Sequence, residues 1–241
     1  MRYASQEGNI VEAKPGIINC VCQICNQQVI PKCGTIKVWH FAHVASEDCD
    51  SFSEPETEWH LAWKARFPKE YQEVVINNHR ADVKLPSGLV VEFQNSPINS
   101  EDIIDRESFY GPMLWVLNGD SLAKGFKVRT PKQSFCCKSK IKDHFCQSCG
   151  SICKEELVTS HKNFRWYHPP KSWFSSERTI WIDLNNGTLF KIERLYSNVP
   201  CGGWGYIVSV KDFVEKIKMF RTSDDQSKGG KNNGKTDQKT E

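Results

Sequence analysis

Residues 80–94 read RADVKLPSGLVVEFQ, and the fold turns on this stretch. RADVKL (80–85) and LVVEFQ (89–94) have strand character, and Pro86-Ser87-Gly88 between them is a turn, so 80–94 reads as a β-hairpin. Side chains alternate along a strand, so Glu92 and Gln94 share one face while Val83, Val91 and Phe93 take the core-facing side. Working outward, 71–76 (YQEVVI) is a further strand and 99–110 (NSEDIIDRESFY) a helix capped by Asn99 or Ser100. MLWVL at 113–117 is a wholly apolar run that reads as a buried strand ending at Asn118-Gly119. Upstream, Ser53 followed by Glu56 matches a capping box with Pro55 in the first turn, which predicts a helix over 54–66 ended by Pro68. The order helix, strand, hairpin, helix, strand predicts an α/β sheet flanked by helices.

The chain has 241 residues, with 32 Lys and Arg against 29 Asp and Glu. A net charge of +3 excludes both an acidic-tail protein and a globally basic, histone-like one. An apolar share of 39% with 11% aromatics builds a core, which excludes wholesale disorder. No apolar run approaches the roughly 18 residues of a membrane span. The opening MRYASQEGNI lacks a signal-peptide profile, so a cytoplasmic location is expected. Charge is local instead: 47–58 holds Glu47, Asp48, Asp50, Glu54, Glu56 and Glu58 with no Lys or Arg. In 120–145, seven Lys and Arg face Asp120 and Asp143, a local +5. Residues 179–195 read as a hairpin around Asn186-Gly187, 210–221 as a helix, and 223–241, without an apolar residue, as a disordered tail.

Eleven cysteines fall in two groups, five within 20–49 and five within 136–153, with Cys201 apart. Clustered cysteines beside histidines and without a secretion signal read as zinc sites rather than disulfides. In the first group Cys22-x2-Cys25 forms a knuckle that His43 and Cys49 close; Cys20 and His40 are alternative ligands, and buried free thiols are the plain alternative. Pro31 and Gly34 suggest a β-turn-β excursion between the two halves. In the second, Cys146-x2-Cys149 is a knuckle that His168 joins, with the fourth ligand open. These features predict an N-terminal zinc module over 1–52, an α/β core over 53–130, a zinc-containing β-rich region over 131–222 and the tail.

Asp82 and Glu92 lie on the two arms of the hairpin, where paired carboxylates repel unless a cation sits between them; a hard ion such as Mg²⁺ fits that demand. Glu56, His60 and Lys64, spaced i, i+4, i+8, form a stripe on the preceding helix, suited to a phosphate site or, alternatively, to a solvated face.

The sequence resembles the competence protein CoiA-like family, whose core is similar to a PD-(D/E)xK nuclease. The residues that carry the resemblance run in order over about 20–118. They are Cys22-x2-Cys25, His40-Phe41-Ala42-His43, Glu56-Thr57-x2-His60-x3-Lys64, Arg80-Ala81-Asp82-Val83, Glu92-Phe93-Gln94-Asn95-Ser96-Pro97-Ile98, Arg106-x3-Tyr110 and Trp115-Val116-Leu117. Past 118 it rests on HPPKSW at 168–173. The resemblance implies a restriction-endonuclease-like mixed sheet, behind a structural zinc finger, that hydrolyses DNA with catalytic Mg²⁺. It makes Asp82 and Glu92 the metal-binding acids and puts Gln94 where Lys usually stands. Gln94 and His60 would position the attacking water, and Lys64 would supply the missing charge, with Glu56 beside it on the helix. Arg106 and Tyr110 would flank the site. The implied partners are DNA and proteins of a DNA-processing system, with no membrane.

Overall fold

The computed structural model describes residues 1–44, 49–129, 144–146, 151–153, 161–197 and 201–219. It is a mixed α/β protein. The N-terminal module is a five-stranded sheet in the order β2-β1-β3-β4-β5, built from β1 (Tyr3–Gln6), β2 (Asn9–Glu12), β3 (Cys20–Val21), β4 (Gln28–Lys32) and β5 (His40–His43). Its core is small: Ala4, Ala13, Ile17, Cys20, Cys22, Val29 and Phe41.

The core follows as α1 (Glu58–Lys64), β6 (Gln72–Ile76), β7 (His79–Lys84), β8 (Val90–Gln94), α2 (Ser100–Tyr110) and β9 (Met113–Asn118). β6, β7 and β8 form an antiparallel meander, and α2 carries the chain over to β9, which runs parallel to β8. α2 starts where Asn99 Oδ1 accepts the Asp102 amide at 2.7 Å and stops at Gly111, whose φ of 66° ends the helix cheaply only without a Cβ.

α1 departs from the expected helix over 54–66. It starts at Glu58, capped by Thr57, because His60 takes the part usually played by Glu in a capping box. The Thr57 hydroxyl accepts the His60 amide, and His60 Nδ1 accepts the Thr57 amide at 3.3 Å. Residues 54–57 are therefore outside the helix, and Glu54 and Glu56 turn inward rather than lining its first turn.

The sheet does not stop at residue 130. β10 (Phe126–Arg129), β13 (Lys162–Trp166), β14 (Thr179–Asp183), β15 (Thr188–Tyr196) and β16 (Gly202–Ser209) extend it to nine strands, in the order β10-β13-β16-β15-β14-β9-β8-β7-β6. β14 joins it by pairing in parallel with β9. Thus the boundary expected at 130 falls inside one sheet. β11 (His144–Cys146) and β12 (Ser151–Cys153) pair as a separate two-stranded antiparallel sheet. α3 (Val210–Lys218) closes the described chain, its Ser209 cap accepting the Asp212 amide at 3.0 Å.

Neighbours Leu189 and Phe190, like Val90 and Val91, belong to different apolar clusters, so the sheet is covered on both faces. One cluster packs Ile103 and Tyr110 of α2 on Trp115 and Leu117; the other packs Trp63 of α1 and Phe213 of α3 on Val91 and Phe93. Burial of each such aromatic contributes about 1.5–3 kcal/mol. Among the described residues no helix is long and apolar enough to cross a membrane.

Candidate active site and metal centre

Strands β3 and β5 bring the first cysteine group together. Cys22 O accepts the Asn26 amide at 3.0 Å and Cys22 Sγ accepts the Ile24 amide at 3.4 Å, a knuckle that Asn26 closes in the left-handed region at φ 56°. One ligand atom from each of Cys22, Cys25, His43 and Cys49 lies within 4.8 Å of the others. Cys22 Sγ is 3.6 Å from Cys49 Sγ, and Cys25 Sγ 3.2 Å from His43 Nε2. Three thiols and an imidazole at these spacings could hold zinc. Burial pushes the Cys22 thiol up, but amide donors from Cys25 and Ile24 overcome it and bring Cys22 to about 7. Burial and the two neighbouring sulfurs push Cys49 up to about 12. The alternatives stand aside: Cys20 Sγ donates to Ile18 O, and His40 Nδ1 is 2.8 Å from Val38 O.

Of the second group, Cys149 lies outside the described residues and Cys146 is described only in its backbone. His168 is exposed, at a φ of 55°. Lys124, Lys127 and Arg129 of the basic stretch are described; Lys132, Lys138, Lys140 and Lys142 lie outside the described residues.

The hairpin acids meet across the strands. Glu92 Oε1 accepts the Asp82 amide at 3.0 Å, and Asp82 Oδ2 accepts the Phe93 amide at 2.9 Å. Each carboxylate keeps one further oxygen, and a cation faces each: Lys64 Nζ is 3.7 Å from Asp82 Oδ1, and an Arg106 guanidinium nitrogen 3.5 Å from Glu92 Oε2. Lys64, at the C-terminal end of α1, also binds Glu56 at 2.7 Å and Glu73 at 3.0 Å. Glu73 lies on β6 between the pairs Gln72↔Val83 and Val74↔Ala81, with a φ of 48° that few side-chain-bearing residues adopt. Arg2 also donates its amide to Glu73 at 3.0 Å, tying the N-terminal module to the site.

Burial alone would lower the Lys64 ammonium, yet Glu73, Asp82 and Glu56 hold it above its ordinary value. Glu73 sits at about 2: burial works against its charge, and Lys64 overrides burial. Glu92 goes the other way, raised well above the ordinary carboxyl value by burial and by Asp82.

His60, Glu54 and Gln94 form a second layer. His60 Nε2 donates to Glu54 Oε1 at 2.9 Å and Phe93 O at 3.0 Å, so it fastens Glu54 to β8. Burial lowers the His60 imidazole, but Glu54 more than restores it and holds it raised. Gln94 Nε2 donates to Glu54 Oε2 at 3.2 Å and Ser96 O at 3.0 Å; its Oε1 is buried without a donor among the described residues. Glu56, His60, Lys64, Asp82 and Glu92 thus line one cavity of about 50 Å³, and Gln94 supports it through Glu54.

Three members escape sequence reasoning. Glu54 and Asp50 belong to the acidic run at 47–58, whose excess of charge is the signal that could have found them. Asp50 accepts from His79 Nδ1 at 2.8 Å and from the Arg80 amide at 2.9 Å. Glu73 left no signal, since strand alternation does not announce a left-handed residue.

The raised Glu92 carboxyl gives a sign to pH dependence. A carboxyl whose folded value is raised contributes stability below its ordinary value and loses it as pH climbs toward the raised one. Glu92→Gln keeps an acceptor for the Asp82 amide and does not titrate. Without added divalent ions it is expected to raise the melting temperature at pH 7.5 and to leave it almost unchanged at pH 4. Thermal melts of both proteins at the two pH values check this.

Residues 9–52 match the family described as competence protein CoiA, N-terminal domain. No curated protein and no solved structure matches the chain.

Proposed function

From a chain that belongs to the CoiA-like family through its N-terminal domain, we propose a metal-dependent hydrolase of DNA phosphodiester bonds. The observation that carries this reading is the reciprocal clasp of Asp82 and Glu92, which leaves one oxygen of each directed at a cation. The order α1-β6-β7-β8-α2-β9, with the acids on β7 and β8, supports the restriction-endonuclease-like reading of this core.

Two hard carboxylate oxygens, one on a buried group whose charge burial disfavours, suit Mg²⁺. Asp82 and Glu92 would hold it, and when bound it would activate a water and polarise the scissile phosphate. The chain's own groups do the rest. Lys64, kept protonated by three acids, places a fixed positive charge where phosphate oxygens gain charge, as the missing Lys at 94 would have done. Gln94 Oε1 offers an acceptor to a water, while His60 acts through Glu54 as a positioning residue. Arg106, its guanidinium 5.3 Å over the Phe52 ring, stands ready to leave Glu92 for phosphate. A zinc ion at Cys22, Cys25, His43 and Cys49 would be structural, since four protein ligands leave no open position.

One observation favours a second reading, a catalytically silent nucleic-acid-binding or adaptor protein: Lys64 is already bound by three carboxylates. Divalent-dependent cleavage of single- and double-stranded DNA separates the two. Wild type is expected to cut and Asp82→Ala to lose about 10²–10³-fold in rate. Equal DNA binding by both proteins with cleavage by neither would establish the silent reading.

A further inference from the structure

On one face of the sheet the apolar cover ends before the sheet does. Leu189 on β15 pairs with Val208 on β16, and both pack in the cluster that α3 covers. Directly paired residues of antiparallel strands share a face. Continuing along that face, Tyr206 stands opposite Lys191 and, past a bulge, Trp204 opposite Arg194. Trp204 pairs on its other side with Asn163, Asn163 with Arg129, and Arg165 with Lys127. Phe126, Phe164, Trp166 and Phe190 go to the opposite face and are packed in the other cluster. The outer face of β10, β13, β16 and β15 therefore carries half-buried rings among cations.

Among the described residues, no carboxylate lies within ion-pair distance of Lys127, Arg129, Arg165 or Arg194, whereas Lys191 is paired with Glu193 at 2.5 Å. Lys127 directly opposite Arg165 is a like-charge cross-strand pair, which destabilises a sheet unless an anion covers it. Lys127 Nζ also lies 5.7 Å over the ring of Tyr167. The rings are held in place: His161 is 4.8 Å from both Trp204 and Tyr206. Gly202, next on this face, presents no side chain beside Trp204.

We propose that this face binds single-stranded DNA, with bases stacked on Trp204 and Tyr206 and phosphates on Lys127, Arg129, Arg165 and Arg194. Flat rings beside cations that no described carboxylate pairs match a chain that alternates π-faces with negative charge. A duplex hides its base faces, so it meets only the cations. The choice of DNA over RNA rests on the proposed function, since Asn163 directly opposite Trp204 is free of any commitment to one sugar. The face lies at the β10–β15 end of the sheet and the acids at β7 and β8, so binding here stands whether or not those acids cut DNA.

Fluorescence anisotropy of a labelled oligothymidylate, titrated with the full chain over a range of salt without added divalent ions, tests the proposal. Trp204→Ala is expected to weaken binding about 5- to 100-fold, and Trp204→Phe to retain most of it. Lys127→Ala with Arg165→Ala is expected to flatten the salt dependence by about 1.4 in log–log slope. Melting temperatures of the variants separate loss of the face from loss of the fold. Wild-type affinity and slope in Trp204→Ala and the double variant would overturn the proposal. So would tighter binding of duplex DNA or of oligouridylate than of oligothymidylate.

Discussion

Cys22→Ser is expected to release one zinc per chain and unfold the N-terminal module. A buried core of seven residues, two of them alanines and two cysteines, is too small to hold five short strands without another constraint. A closed four-ligand zinc site contributes about 10 kcal/mol or more to such a module. Removing one thiolate leaves three ligands, and the remaining sulfurs lose the cation that offsets their repulsion. Loss should reach the acid cavity, because Arg2 donates its amide to Glu73, and Asp50, just past Cys49, binds His79 and the Arg80 amide. Cys20→Ser is the control: Cys20 is fully buried but outside the four-ligand group, so zinc should remain. Metal analysis with far-ultraviolet circular dichroism decides the matter. Retained zinc and an unchanged spectrum in Cys22→Ser would refute the four-ligand assignment.

What could be read from the sequence was local. The hairpin over 80–94 declared itself because alternation and a Pro-Ser-Gly turn act within fifteen residues, and Val83, Val91 and Phe93 do share one cluster apart from Glu92 and Gln94. Lys64 and His60 were legible as a stripe on one helix face. Their partners were not all legible. The start of α1 was misplaced because His60 imitates an acid at the third helical position, a substitution that composition does not reveal. The continuation of the sheet past 130 was hidden because β14 joins through parallel pairing with β9, a contact that no turn signal marks. Sequence distance also concealed the acid that anchors α1.

That acid is Asp183. Its Oδ2 accepts from both Trp59 Nε1 and Trp63 Nε1 at 2.8 Å, and its Oδ1 from the Asn185 amide at 2.9 Å. A single carboxylate at the end of β14 thus ties down α1, the helix that presents His60 and Lys64 to the cavity. Asp183→Ala would strand two indole donors, one on a side chain only 2% exposed, beside Phe93 and Phe213 where water does not reach. At about 1–3 kcal/mol for each orphaned donor plus the lost amide bond, a destabilisation of about 3–5 kcal/mol is expected. Asp183→Asn keeps one carbonyl for the indoles but turns its amide donors toward the Asn185 N–H, so it should cost less, about 1–2 kcal/mol. Trp59→Phe removes one donor, and its cost should shrink in the Asp183→Ala background because the indole N–H is then already unsatisfied. Denaturant titration of the four proteins measures this coupling; additive costs would show that the carboxylate does not anchor α1 through the indoles. Cleavage, where the wild type shows it, should fall in Asp183→Ala even under conditions where the variant stays folded, since Lys64 keeps its distance to Asp82 only while α1 stays seated on the sheet.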